Sequence, residues 1–91
     1  MRSFRDPDTE SLAKGRRVRR FLNIEAVARR KLRQLKIAEQ LGDLRVPPGT
    51  RLEALRGDRA GPYSIRLNDR YRACFRWTSA GAEDVGIVDY Q

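Results

Sequence analysis

A regular alternation of apolar and polar residues constrains the fold of this chain more than any other feature of its sequence. Apolar residues alternate with polar ones from Tyr63 to Leu67, and after Asn68-Asp69 the pattern resumes from Tyr71 to Trp77. A period of two places all apolar side chains on one face of a strand. The pattern therefore predicts a β-hairpin with one buried face, and a last strand is predicted from Asp84 to Tyr90.

The length of the hairpin loop decides the strand register. A two-residue loop would place Leu67 opposite an arginine and would mix the two faces of the hairpin. A three-residue loop, residues 68–70, pairs Leu67 with Tyr71 and Arg66 with Arg72, which keeps the apolar face whole. We therefore predict the three-residue loop. The aromatic residues on the apolar face are expected in the core: Tyr63, Tyr71, Phe75 and Trp77.

The polar face of this predicted hairpin carries Arg66, Arg72 and Arg76. Arg51 and Arg56, in the preceding strand and loop, can approach the same face. Guanidinium groups bind phosphate with a planar pair of donors, and several of them on one twisted sheet suit an RNA backbone. The alternative is that these arginines are solvated or paired with acidic residues nearby.

The charge and composition of the chain limit the kinds of functional site and partner that are expected. The 91 residues carry a formal charge of +8 and include no histidine, so a catalytic pair or a zinc site that needs imidazole is excluded. Residues 1–41 hold 12 basic and 5 acidic groups, and residues 42–91 hold 8 and 7. A polyanion is the expected partner, with nucleic acid ahead of lipid. The scattered acidic residues indicate neither a metal site nor another cofactor.

The N-terminal part is predicted to form two helices, within a single domain that spans residues 1–91. Asp6 is the predicted N-cap of a short helix that begins at Pro7 and stops near Gly15. Asn23 is the predicted N-cap of the main helix, which Gly42 is expected to close. Its apolar stripe consists of Ile24, Val27, Ala28, Leu32, Leu35, Ala38 and Leu41.

The single cysteine, Cys74, lies in the strand pattern and is expected to be a small buried apolar residue. One cysteine excludes an internal disulfide and suits a reducing compartment. The sequence contains no apolar stretch long enough to span a membrane. A cytoplasmic protein without a membrane partner is therefore expected.

Six segments of the chain together match the sequence pattern of a known protein family. They are Arg2–Phe4, Val27–Leu32, Arg51–Gly61, Tyr63–Asp69, Tyr71–Trp77 and Val88–Tyr90. Together they resemble the HigB toxins, which belong to the RelE/ParE superfamily of type II toxin–antitoxin systems. The resemblance implies an α+β fold in which two N-terminal helices pack on a small antiparallel β-sheet.

The resemblance also implies an activity and partners. HigB toxins cleave mRNA in the ribosomal A site without a metal ion, by attack of a ribose 2′-OH on the adjacent phosphate. A helix-turn-helix antitoxin of the HigA type neutralises the toxin, and the toxin reaches operator DNA only through that complex.

By position, the resemblance places Asp89 and Tyr90 in the C-terminal active-site motif and Arg72 and Arg76 among the phosphate-facing cations. Arg56 stands where lysine is frequent. The predicted catalytic residues are Arg72, Asp89, Tyr90 and Gln91, and the predicted RNA-binding residues are Arg51, Arg56, Arg66 and Arg76.

Two positions depart from the family pattern. HigB chains end Asp-Tyr-His, whereas this chain ends in Gln91, and some relatives carry histidine where Glu53 stands. Glutamine cannot titrate, although it donates a hydrogen bond. A weakened toxin, a natural relative with other proton-transfer groups and a substitution introduced for production all fit Gln91. A ParE-like gyrase inhibitor and a non-catalytic nucleic-acid-binding co-repressor remain alternatives to the endonuclease.

Overall fold

The computed structural model describes residues 3–45, 51–54 and 62–89 of the chain. Helices come first and a four-stranded antiparallel sheet follows, which confirms the predicted α+β class. The helical elements are α1 (Pro7–Ala13), a 3₁₀ helix (Arg19–Ile24), α2 (Glu25–Ile37) and a second 3₁₀ helix (Leu41–Arg45). The strands are β1 (Glu53–Ala54), β2 (Pro62–Arg66), β3 (Tyr71–Thr78) and β4 (Gly81–Asp89), in the spatial order β1-β2-β3-β4.

The β2–β3 hairpin has the predicted register. Arg66 pairs with Arg72, and the amide of Leu67 donates to the carbonyl of Tyr71 at 3.0 Å. The side-chain oxygen of Asn68 accepts hydrogen bonds from the amides of Arg70 (2.8 Å) and Tyr71 (2.7 Å). Asparagine favours such turns because its side chain replaces a backbone acceptor. The three-residue loop is therefore confirmed, and the Asn68 side chain stabilises it.

The core lies between α2 and the apolar face of the sheet. Phe75 is fully buried, stacks on Tyr63 and has Ile65 and Ala73 beside it on the same face. The other predicted aromatic residues, Tyr63, Tyr71 and Trp77, are partly buried against the same cluster. The main-helix stripe supplies the opposite wall with Ile24, Ala28, Leu32 and Leu35. Cys74 is buried, as expected.

The first helix matches its prediction. Asp6 has extended backbone and accepts a hydrogen bond from the amide of Thr9 at 2.8 Å, and Pro7 is the first helical residue. After the helix ends, Gly15 adopts a φ of +87°, which glycine tolerates because it has no Cβ.

The predicted boundaries of the main helix are wrong at both ends. Asn23 does not cap it, because residues 19–24 form a 3₁₀ turn and α2 begins at Glu25. With three residues per turn, this winding brings Phe21 and Ile24 to the same side, where both are buried. Helix α2 ends at Ile37 instead of at Gly42, which lies inside the second 3₁₀ helix. There the Asp43 carboxylate accepts from the amides of Glu39 and Gln40, both at 3.1 Å, and offers the backbone an alternative to α-helix.

The last strand begins three residues earlier than predicted. Strand β4 starts at Gly81 and contains a register shift opposite Cys74 and Arg76, where Asp84 has a φ of +54°. The N-terminal segment pairs with this irregular part of β4, because Phe4 forms a parallel bridge with Val85. The N-terminal segment thus joins the sheet through a single bridge.

Candidate functional site

The strand register gathers three of the predicted arginines on the side of the sheet that faces away from the helices. Arg66 and Arg72 are direct cross-strand partners, and Arg76 follows on β3 at the same side, opposite Pro62. We call this side the arginine face. Like charges placed directly opposite repel each other, so a stable pair of arginines here requires other groups that hold each guanidinium.

Arg72 is built into the centre of the arginine face. Its side chain is only 11% exposed. Its Nε donates to the hydroxyl of Ser64 at 2.8 Å, and an Nη donates to the carbonyl of Arg51 at 3.0 Å. The Glu53 carboxylate lies 3.7 Å from the same guanidinium. Contacts on both sides hold the planar guanidinium in one orientation, as a group that stabilises charge in a transition state requires.

The other predicted arginines are placed differently. Arg66 is ion-paired with Asp69 in the hairpin loop. Arg76 is exposed, and no ion pair involves it within the described ranges. Arg51 contributes its carbonyl to Arg72, has a φ of +50° and keeps an exposed side chain. Arg72 is therefore the ordered cation of the face, while Arg76 and Arg51 are accessible to an anionic ligand.

Glu53 is a candidate site residue that the sequence analysis noted only as a departure from the family. It lies on β1 opposite Ser64, and its side chain is 57% exposed. The register therefore brings a solvent-accessible carboxylate to the edge of the arginine face, next to Arg72. Its signal in the sequence was its position in the short strand predicted before the hairpin, but the face of the sheet to which it belongs depends on pairing with β2.

Asp89 lies on the other side of the sheet. It is the cross-strand partner of Tyr71, whereas Arg72 is paired with Val88. Both an Nε and an Nη of Arg70 contact its carboxylate at 2.8 Å. This contact raises the pKa of Arg70, chiefly through the hydrogen bond that Arg70 donates to the Asp89 carboxylate. The structure thus separates Asp89 from the arginine face, and the remaining predicted residues Arg56, Tyr90 and Gln91 lie outside the described residues.

The N-terminal segment lies beside β4, where the Arg5 amide donates to the Val85 carbonyl at 2.8 Å, and the Arg5 side chain approaches Gly86 next to the arginine face. A Cβ on Gly86 would lie 3.0 Å from the Cβ of Arg5, so a larger residue here would require the Arg5 side chain to shift. Arg5 also pairs with Asp84 at 3.5 Å. Burial raises the pKa of the Cys74 thiol beneath this segment, and the charges of Arg5 and Arg72 oppose the shift. Arg5 is a cation of this surface that the sequence analysis did not identify.

Within residues 3–45, 51–54 and 62–89, no three histidine, cysteine or acidic side chains come together as a metal site would require. The helices in the same ranges are all too short or too polar to cross a lipid bilayer.

Similarity to known proteins identifies the family. A family model for the RelE-like toxin HigB of type II toxin–antitoxin systems matches residues 2–91. Toxin HigB-1 of Vibrio cholerae serotype O1 is 45% identical over 60 residues, which are 66% of this chain and 63% of that protein. An uncharacterized protein of Haemophilus influenzae is 38% identical over 55 residues, 60% of this chain and 54% of that protein. The matches therefore span less than two thirds of the length of either relative. Because the family match covers almost every residue, this chain belongs to the HigB-like family of RelE-like toxins of type II toxin–antitoxin systems.

Proposed function

We propose that this chain is a toxin that cleaves mRNA in the A site of the ribosome and so inhibits translation in the cytoplasm. The observation that carries the proposal is the fixed guanidinium of Arg72 with the Glu53 carboxylate beside it on an otherwise cationic sheet face. Membership of the HigB-like family supports the same reaction.

The proposed reaction is attack of a ribose 2′-OH on the adjacent phosphate. The bond from the 2′-oxygen to phosphorus forms, the bond from phosphorus to the 5′-oxygen breaks, and a cyclic phosphate and a 5′-hydroxyl result. A base must accept the 2′-hydroxyl proton, an acid must protonate the leaving 5′-oxygen, and cations must stabilise the charge on the phosphorane. No step requires a metal ion.

Arg72 is assigned to the phosphorane charge. A guanidinium is too weak an acid to give up its proton, so its role is electrostatic. Its hydrogen bonds to Ser64 and to the Arg51 carbonyl fix the fork before substrate arrives. Arg51, Arg66 and Arg76, together with Arg56, are assigned to the phosphates on either side of the cleaved bond.

Glu53 is assigned as the base. It is exposed to substrate, it is next to Arg72, and a carboxylate can accept the 2′-hydroxyl proton. Tyr90 is the candidate acid, and Gln91 is assigned a hydrogen bond to the phosphate or to a base. Asp89 is assigned a positioning role through its ion pair with Arg70, since it lies on the opposite side of the sheet from Arg72.

The proposed partners follow from the family. An antitoxin of the helix-turn-helix HigA type neutralises the toxin, and the complex of the two binds operator DNA. The ribosome and its mRNA are the target of the free toxin.

Primer extension on ribosome-bound mRNA tests the activity. Wild-type protein is expected to cut within the A-site codon, and Glu53→Gln is expected to cut about 10²-fold or more slowly. Glu39→Gln, an exposed glutamate on the helical side, is the matched control and should cut normally. In the same assay, Gln91→His should increase the rate of mRNA cleavage.

Absence of cleavage by both the wild type and Gln91→His would overturn the assignment as a nuclease.

Gln91 supports a second candidate function, because an amide side chain at this position cannot transfer a proton. A ParE-like toxin inhibits gyrase without RNA chemistry. Incorporation of labelled precursors after induction distinguishes the two: the nuclease stops protein synthesis first, whereas the gyrase inhibitor stops DNA synthesis first.

A further inference from the structure

A partly open groove runs along the second half of helix α2, on the helical side of the molecule. Its larger part is a cavity of about 370 Å³, and a smaller cavity of about 200 Å³ adjoins it. The larger part is lined by Ala13, Arg29, Leu32, Arg33, Lys36 and Ile37. The smaller part is lined by Gln34, Ile37, Ala38 and Asp43. We call both parts together the α2 groove.

The α2 groove combines an exposed apolar residue with cations. Ile37 lines both cavities and is 66% exposed, so its side chain is accessible to an apolar group of a partner. Arg33 and Lys36 are exposed, and within the described part of the chain neither takes part in an ion pair. Arg29 is held in place by Glu25 at 3.1 Å and by the carbonyl of Arg16 at 3.0 Å. The groove therefore offers an apolar contact between one fixed cation and two accessible ones.

We propose that the α2 groove binds an acidic, amphipathic segment of the antitoxin. An apolar side chain of that segment covers Ile37, and carboxylates beside it pair with Arg33 and Lys36. This inference rests on the proposed neutralisation by an antitoxin and adds the surface at which it occurs. Charge complementarity and burial of the exposed isoleucine together define the partner.

The chemistry favours a protein segment over RNA. An RNA backbone would satisfy the cations but would leave Ile37 beside phosphate, where it gains nothing from burial. An acidic amphipathic segment satisfies both. The arginine face lies on the opposite side of the sheet from α2, so substitutions in the groove separate antitoxin binding from mRNA cleavage.

Calorimetric titration with the full-length antitoxin encoded beside the toxin gene tests the proposal. Ile37→Glu and Arg33→Glu are each expected to weaken binding by about 30-fold or more, as for central interface residues. Leu22→Glu and Arg19→Glu are the matched controls, because Leu22 is 48% exposed and Arg19 is an exposed arginine outside the groove. Both controls should bind within about twofold of wild type. Far-ultraviolet circular dichroism verifies that each variant folds, and ribosomal cleavage is measured in parallel.

Each outcome has a distinct meaning. Loss of antitoxin binding with normal cleavage supports the α2 groove as the docking surface. Normal antitoxin binding by both Ile37→Glu and Arg33→Glu overturns it, as does failure of the wild type to bind this antitoxin. Loss of cleavage with normal antitoxin binding also overturns it and identifies the groove as a ribosome contact. A wild type that binds the antitoxin but does not cleave mRNA contradicts the proposed nuclease and leaves the groove in place.

Discussion

Arginines that look alike in the sequence have different surroundings. Arg72 is 11% exposed and bonded to Ser64 and to a backbone carbonyl, whereas Arg76, on the same face, is exposed. A guanidinium whose orientation is fixed stabilises developing charge without reorganising, and an exposed one mainly attracts and holds the polyanion. Arg72 is for this reason the arginine assigned to catalysis.

Replacement of Arg72 by lysine should separate orientation from charge. The ammonium of Arg72→Lys keeps the charge, but a single nitrogen cannot reproduce the planar fork that contacts both Ser64 and the Arg51 carbonyl. We expect cleavage of ribosome-bound mRNA to fall about 10²–10³-fold. The free energy of unfolding should fall by about 1–3 kcal/mol because of the lost hydrogen bonds. Single-turnover primer extension and urea unfolding measure the two effects. Unchanged cleavage would exclude an oriented fork from the mechanism.

Cys74 should be chemically inert in the folded protein. Burial raises its pKa above the ordinary value of 9.0, so the reactive thiolate is scarce at neutral pH. Since the unfolded thiol ionises at lower pH than the folded one, the stability contribution of this group is complete below about pH 9 and declines as the pH rises further. A chromogenic disulfide reagent is expected to react slowly at about pH 8 with native protein and rapidly in denaturant. Equal reaction rates in native and denatured protein would show that the Cys74 thiol is accessible in the fold.

Among the elements, α1 is attached to the sheet by one polar residue. Thr9 is fully buried, and its hydroxyl accepts a hydrogen bond from the Ile87 amide on β4 at 3.0 Å. The same hydroxyl donates to the Asp6 carboxylate at 3.0 Å. A short helix is marginal by itself, so this attachment and the burial of Leu12 keep α1 in place.

Substitution of Thr9 by valine tests the attachment. Thr9→Val preserves the shape of the side chain but leaves the buried Ile87 amide without its acceptor. We expect the free energy of unfolding to fall by about 1–3 kcal/mol, and the Tm to fall by about 4–8 °C for each kcal/mol. Thr9→Ser retains the hydroxyl and serves as the control. A Thr9→Ser variant that loses more stability than Thr9→Val would show that packing of the methyl group dominates.

For the whole molecule, two separate surfaces carry part of the basic charge of a chain whose formal charge is +8. The arginine face lies on one side of the sheet, and the α2 groove with Arg33 and Lys36 lies on the other. The sheet and α2 lie between them. This small α+β fold therefore carries two basic surfaces, one of which we assign to RNA and the other to an acidic protein partner.

The salt dependence of ribosome binding should report the arginine face. Phosphate contacts release counterions, so the affinity falls as salt increases. Arg76→Gln is expected to reduce the magnitude of the slope of log affinity against log salt by about one. Arg19→Gln removes an exposed charge outside both surfaces and should leave the slope unchanged. Equal slopes for wild type and Arg76→Gln would remove Arg76 from the RNA contact.

Local features of the sequence were sufficient to predict the parts of the fold that depend on neighbouring residues. The hairpin register followed from the alternation around Asn68, and the start of α1 followed from Asp6 and Pro7. The start of α2 did not follow, because burial of Phe21 against Tyr71, with ring centroids 5.8 Å apart, is a contact between distant segments. The end of α2 depends on the local hydrogen bonds to Asp43, whereas the prediction relied on Gly42.

The candidate site also has parts that the sequence predicted and parts that it did not. The period of two in β2 and β3 was enough to place Arg66, Arg72 and Arg76 on one face, because strand geometry alone determines which side chains share a side. Only the tertiary structure decided that Glu53 lies beside Arg72, that Arg5 lies against Gly86 and that Asp89 lies on the opposite side of the sheet. These positions depend on pairing and packing between segments far apart in the chain, and such contacts are selected by the free energy of the whole fold.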